Sequence, residues 1–206
     1  MERKKILSNV KNRELVMKRR NQMIKGAISL FKEKGFHRTT TREIAKESGF
    51  SIGTLYEYIR TKEDVLFLVC DSIYEQVKQR LELVIAKEVP SVKMLKNVVR
   101  AYFELMDEMQ EEVLVMYQEV KSLEKEAQEY VLKKEREMVD MLKQVIESCL
   151  PEHNISDMDT ELIANNIFIQ GQMWGFRRWI LQKQFKLDEY IDRQLFYLMR
   201  VLLIEE

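Results

Sequence analysis

Only six glycines and two prolines punctuate 206 residues, so the chain has few places to reverse direction and is committed to long, uninterrupted helices. Apolar spacing agrees. Met23, Ile24, Ala27, Ile28, Leu30 and Phe31 recur at three- and four-residue steps, which makes one stripe on a helix running from about Val16 to a stop at Gly35. The same spacing predicts long helices over about 63–87, 92–109, 123–150, 158–182 and 187–204, with a shorter segment around Met116 and Tyr117. No strand pattern competes with these, and the expected fold class is all-α. With 46% hydrophobic residues there is enough apolar surface for a core. No apolar run approaches the ~18 to 20 residues that a membrane span requires, and the charges of Met1 to Lys5 lead into no apolar signal core. A soluble cytoplasmic protein with no membrane partner is expected. Cys70 and Cys149 stand alone in apolar helical stretches and read as small buried hydrophobes.

The formal net charge of zero conceals a split at Lys62. Residues 1–62 hold 16 Lys and Arg against 6 Asp and Glu, a net of +10, and residues 63–206 hold 18 against 28, a net of −10. A basic first third on an acidic remainder points to a polyanion partner for the first part alone. Two domains are expected, 1–62 and 63–206, with residues 1–15 either a basic arm or an extension of the first long helix.

Within the basic part, Thr40 or Thr41 can cap a short helix ending near Ser48, with Glu43 in its first turn. Gly49-Phe50-Ser51 forms a tight connection, and Ser51 can cap a further helix through Tyr58. Ala45 is small where two helices must cross, while Ile44, Leu55 and Ile59 supply their contact. This is a helix-turn-helix pattern, and it presents Ser51, Ile52, Gly53, Thr54, Tyr56 and Tyr58 at the exposed start of the helix that enters a DNA major groove.

Residues Ile24 to Lys62 resemble the tetracycline-repressor (TetR) family of bacterial transcriptional regulators. The motifs that carry the resemblance are Leu30-Phe31, Gly35-Phe36, Thr40-Thr41, Ile44-Ala45, Ser48-Gly49, Ser51, Gly53-Thr54-Leu55-Tyr56 and Lys62-Glu63. The resemblance implies a homodimer on a palindromic double-stranded operator, released when a small molecule enters the helical body. Base-reading positions then fall on Arg42, Ser51, Ile52, Gly53 and Thr54, and phosphate contacts on Thr41, Tyr56, Tyr58 and Lys62. Arg42 can offer two donors to a guanine edge, whereas Ile52 and Gly53 offer none from their side chains, so thymine methyl contact and DNA shape join the readout. The resemblance also gives the last two helices to the dimer interface, which the seam Ile191, Leu195, Leu198 and Leu202 suits. Gly171 and Gly175 bare one face of the preceding helix for close approach, with the last helix as the expected partner.

For the effector, the large adaptable residues Tyr102, Phe103, Met106, Tyr117, Phe168, Gln172 and Trp174, with Met116, Met138 and Met141, can line an apolar pocket. The stretch Gln172 to Trp179 sets aromatics beside Arg177 and Arg178 and resembles the corresponding helix of family members that respond to acyl-CoA thioesters. The alternatives are a cationic drug with Glu119 or Glu126 as counterion, as in a repressor of an efflux gene, or a DNA-binding protein without effector. An enzyme is not expected: His37 and His153 are isolated, and no glycine-rich phosphate loop or nucleophile-base pair is present. Neither a cofactor nor a metal is implied.

Overall fold

The computed structural model describes residues 12–151 and 155–202. It is all-α. Ten helices follow in order: α1 Arg13–Lys34, α2 Thr41–Glu47, α3 Ile52–Tyr56, α4 Lys62–Ile85, α5 Val92–Glu108, α6 Gln110–Glu119, α7 Lys125–Cys149, α8 Asp157–Phe176, α9 Arg178–Gln184 and α10 Leu187–Val201, with a single 3-10 turn at Val120–Ser122. Residues 1–11 of the expected basic arm, His153, and Ile204 of the expected last helix lie outside the described residues. The chain's packing divides it into two compact units, one of residues 1–73 with 111–133 and one of residues 74–110 with 134–206.

The first unit holds the three-helix head. Gly35, at φ 82°, takes a backbone conformation that L side chains rarely adopt, and its N–H donates to the Phe31 carbonyl at 3.0 Å to end α1. Thr40 then starts α2 with a reciprocal cap, in which its hydroxyl accepts from Glu43 N–H and the Glu43 carboxylate accepts from Thr40 N–H at 2.9 Å. Glu43 also pairs with Lys34 at the end of α1. The Lys34 ammonium, and after it the Thr40 hydroxyl and N–H, lower the Glu43 pKa from an ordinary 4.5 to about 2. A carboxylate more acidic in the folded state contributes stability fully above pH 4.5 and loses it as the pH falls toward 2. Acid titration of the head by circular dichroism should therefore show a loss across that window that is smaller in Glu43→Gln; equal losses would remove Glu43 as the acid-sensitive group.

Ile44, Ala45, Leu55 and Ile59 are buried where α2 and α3 meet, and Gly49 turns the chain between them at φ 75°. Thr61 and Asp64 cap the next helix, the Asp64 carboxylate accepting from Arg60 N–H at 2.9 Å and Thr61 N–H at 3.2 Å. Within the same unit, Tyr130 of α7 donates to the buried Asp71 of α4 at 2.8 Å, and Lys32 pairs with Glu111 at 3.0 Å. Cys70 is fully buried, and its thiol is pushed up to about 12 chiefly by desolvation, consistent with the reading of an inert hydrophobe.

The second unit is built on α5, α8 and α10. Its aromatic core stacks Tyr102 on Phe168 at 5.9 Å between ring centroids and sets Trp174 against Tyr190 at 5.1 Å. Three hydrogen bonds fix these rings: Tyr102 hydroxyl to the Phe168 carbonyl at 2.9 Å, Tyr190 hydroxyl to the Gln170 carbonyl at 2.7 Å and Trp174 Nε1 to Asp107 at 2.6 Å. Arg100 of α5 pairs with Asp188 and Asp192 of α10, and Lys143 of α7 with Asp157 and Glu161 of α8.

One glycine decides this packing. A Cβ on Gly171 would sit 2.6 Å from Tyr102 Cε1, on a ring that is fully buried and held by its own hydrogen bond. The close approach is therefore to α5 rather than to α10, and Gly175 likewise meets Gln110, with 3.0 Å from its missing Cβ to Gln110 Cβ. Gly171→Val is expected to lose ~1 to 3 kcal/mol by overpacking, measured as a lower urea midpoint at unchanged slope. An unchanged midpoint would mean that the Tyr102 ring can yield.

The helix expected over 158–182 is two. The backbone leaves helical geometry at Arg177, at φ −112° and ψ 25°, and α9 restarts with Leu181 N–H donating to the Arg177 carbonyl at 2.8 Å. The Gln182 side chain takes the Trp174 carbonyl at 3.4 Å, so the break leaves that carbonyl bonded.

Candidate nucleic-acid interface

The head presents a polar surface assembled from α2 and α3. Ser51 caps α3, its Oγ accepting from Thr54 N–H at 3.0 Å and lying 2.9 Å from the Thr54 hydroxyl. Thr41 of α2 and Tyr56 of α3 join their hydroxyls at 3.1 Å, which fixes the Tyr56 ring on the outside with 49% of its surface exposed. Arg42 is exposed one residue along, with no hydrogen bond among the described residues, and Gly53 is open on the same short helix. Ile52 and Thr54 are half-buried. Thr41, Arg42, Ser51, Gly53 and Tyr56 thus leave hydroxyls, an unengaged guanidinium and a bare backbone open at the surface of the head, the groups that can face a groove.

Two residues expected at phosphates are engaged within the head. Tyr58 is only 3% exposed, because the short α3 has ended and its ring is taken into the head core. Lys62 commits all three ammonium donors to the turn between α1 and α2, reaching the carbonyls of Phe36 at 3.0 Å, His37 at 3.0 Å and Thr39 at 3.3 Å. It also lies 4.5 Å from the centre of the Phe36 ring. In this structure Lys62 pins the loop that orients α2. A residue the sequence did not single out is Phe50 at the turn, over whose ring the Arg19 guanidinium sits at 4.9 Å, and Arg19 also donates to Gln22 at 3.3 Å. The signal was available as an aromatic in the turn beside a basic first helix.

The residues expected to line an effector pocket divide differently. Tyr117, on α6, lies in the first unit and is exposed; the other seven lie in the second. Tyr102, Phe103, Met106, Phe168 and Trp174 are close-packed core, Gln172 is buried without a hydrogen bond among the described residues, and Arg178 opens α9. A half-open cavity of about 270 Å³ lies between α5, α8 and α10, and of these eight residues Phe103 alone lines it.

The expected dimer seam is also used within the chain. Ile191, Leu195 and Leu202 are buried in the second unit and Leu198 lines the cavity, because α10 carries two apolar stripes and this one packs onto α5 and α8. The other stripe faces out, with Phe196, Tyr197 and Val201 exposed, and Leu162 and Ile169 of α8 are exposed as well. The legible signal was that the apolar residues of α8 are not confined to one face, Leu162 and Ile169 being exposed while Ile167 and Phe168 are buried. Among the described residues no cluster of His, Cys, Asp or Glu is arranged to hold a metal, and no helix is long and apolar enough to cross a membrane.

Comparison with known proteins agrees with this geometry. Residues 23–69 match the description "Bacterial regulatory proteins, tetR family", and residues 88–179 match "Tetracyclin repressor-like, C-terminal domain". The chain is 27% identical over 194 residues to the HTH-type transcriptional regulator HbdR of Aromatoleum sp. strain CIB, covering 94% of this chain and 85% of that one. It is 31% identical over 85 residues to the fatty acid metabolism regulator protein of Bacillus subtilis strain 168, covering 41% of this chain and 44% of that one. The structure of the ketosteroid transcriptional regulator KstR2 of Mycobacterium tuberculosis superimposes with a TM-score of 0.68 at 20% identity, over 98% of this chain and all of that one. With a helix-turn-helix head, a helical body and both parts matched in order, the chain belongs to the TetR family of DNA-binding transcriptional regulators.

Proposed function

We propose that this regulator is a cytoplasmic homodimeric repressor, without catalytic activity, whose DNA-binding function resides in residues 1–62 and whose effector and dimer functions reside in residues 63–206. The observation that carries the DNA reading is the joint surface of α2 and α3, where Arg42, Ser51, Gly53, Thr41 and Tyr56 face outward within a segment of net charge +10. Arg42, Ser51, Ile52, Gly53 and Thr54 read base edges, and Thr41 and Tyr56 hold phosphate oxygens. Tyr58 and Lys62 act one step back, by fixing the head that carries the others.

Two copies join through the outward stripe of α8 and α10. An apolar patch of this kind is what a monomer avoids leaving open, and an isologous contact would cover it on both copies at once.

The effector is an acyl-CoA thioester. Support comes from Trp179 beside Arg177 and Arg178, which offers an apolar surface next to cations, and from the names of two relatives that place them in fatty acid and ketosteroid regulation. The ligand acts only through unequal affinity for the DNA-competent and released states, with a coupling of ~1 to 3 kcal/mol. Native mass spectrometry of protein purified from a bacterial host tests both parts. A species near twice 24.8 kDa carrying the extra mass of a thioester is expected, together with loss of operator binding when that compound is added back. A bare monomer would overturn the dimer, and operator binding indifferent to palmitoyl-CoA and shorter thioesters would overturn the effector.

A further inference from the structure

We propose that Arg19 of α1 is a phosphate-binding residue of the head, held ready at the turn between α2 and α3 by Phe50. This role deepens the DNA-binding reading and rests on it. The Arg19 guanidinium carbon lies 4.9 Å from the centre of the Phe50 ring, and Nη1 donates to Gln22 Oε1 at 3.3 Å. Both partners are neutral. Among the described residues no carboxylate pairs with Arg19, so its charge stays uncompensated. Other cations of the head are committed: Lys34 pairs with Glu43, Lys32 with Glu111, and Lys62 donates to three carbonyls.

Phe50 is itself fixed. Its N–H donates to the Ala45 carbonyl at 2.8 Å, after Gly49 has turned the chain at φ 75°. The next residue is Ser51, which caps α3 and stands among the proposed base-reading positions. A cation resting on Phe50 is thereby tied to the frame that carries the reading helix, instead of swinging on a long stem. An arginine loses rotamer freedom when it grips an oxygen, and here part of that loss has already occurred on folding. A guanidinium presents its donors in a planar fork that suits two oxygens of one phosphate, and Gln22 takes only one N–H of it. Arg19 is half-buried, with the rest of the residue open to solvent. A phosphate contact carries no sequence information, so this one adds affinity on every duplex alike, in contrast to Arg42.

The test is a salt titration of the full chain binding to an operator selected from random duplex DNA and to an unrelated duplex. Arg19→Gln is expected to lower the slope of log affinity against log salt by ~0.9 per half-site, and to weaken binding to both duplexes about tenfold per half-site near 0.1 M salt. Arg19→Lys should keep the slope, because the charge remains, and weaken binding about threefold, because the fork and the stacking are lost. Phe50→Leu should likewise keep the slope and weaken binding about threefold, with no further effect once Arg19 is glutamine. Lys18→Gln removes the exposed charge one residue earlier and should lower the slope by less than about half as much. Circular dichroism and melting report whether each variant is folded; a merely structural role for Arg19 would move the melting curve and leave the slope alone. The proposal is overturned if folded Arg19→Gln keeps the parent's slope, if Lys18→Gln lowers the slope equally, or if Phe50→Leu weakens binding as much without Arg19 as with it. A loss confined to the selected operator would make Arg19 a base reader and overturn the phosphate role. If Arg19→Gln does not fold, Arg19→Lys and Phe50→Leu decide, and parental affinity in both overturns the proposal. A parent that binds no duplex removes the DNA-binding reading and this role together, whereas a parent that binds while Arg19→Gln matches it loses the role of Arg19 alone.

Discussion

Replacing Leu162 and Val201 together by aspartate is expected to turn the proposed dimer into a monomer that remains folded. Both side chains are more than 60% exposed in the single chain, so the substitution disturbs no packing within it. In the proposed isologous interface each residue appears twice, and four carboxylates would be buried among apolar groups without partners. An uncompensated buried charge costs ~3 to 5 kcal/mol, so the dissociation constant should rise by more than about a thousandfold. Sedimentation should then report a particle near 24.8 kDa with an unchanged melting curve. Operator affinity should fall with it, since a monomer engages one half-site and loses the advantage of tethering. A double variant that still sediments as a dimer would move the joint away from the outward stripe of α8 and α10.

The second large effect is expected at Arg42. Arg42→Ala should reduce affinity for an operator selected from random duplex DNA by ~1 to 3 kcal/mol per half-site. Over two half-sites this is roughly 30-fold to ten-thousandfold. The loss should be concentrated at one base position in each half-site, and binding to unrelated DNA should change little. Tyr56→Phe removes a hydroxyl assigned to a phosphate and gives the contrasting pattern, a smaller loss spread evenly over sequences. Arg42→Ala protein that binds the selected operator within about threefold of the parent would exclude Arg42 as a base reader. Its side chain is exposed without a hydrogen bond among the described residues, so a loss of affinity would not trace to a damaged head.

The head was the most legible part of the chain because its determinants are local. Thr40, Glu43, Gly35, Gly49 and Ser51 cap and turn within three or four residues of themselves, and such contacts are written in residue spacing. What spacing could not show there was orientation at one step of longer range. Lys62 reads as a cation available to phosphate, yet its ammonium is folded back onto carbonyls some 23 to 26 residues earlier. Tyr58 reads as an outward position only if α3 continues, and α3 ends at Tyr56.

In the body the sequence determined how many long helices there are and which residues are apolar, because period and punctuation suffice for both. It did not determine which apolar stripe meets which neighbour. The seam Ile191, Leu195 and Leu202 serves the chain's own core, and the adjacent stripe of Phe196, Tyr197 and Val201 faces out. The two differ by a rotation about one helix axis, and that rotation is fixed by partners distant in sequence: Tyr102 against Gly171, Tyr190 on Gln170, Arg100 on Asp188 and Asp192. The one-residue break at Arg177 has neither Gly nor Pro at its position, and the side chain of Gln182, eight residues after Trp174, takes up a freed carbonyl. The family, the fold class and the polar face of the head were thus set by short-range spacing. The outward stripe, the cavity between α5, α8 and α10, and the commitments of Lys62 and Tyr58 were decided by tertiary packing, since each depends on side chains that meet only after the helices have docked.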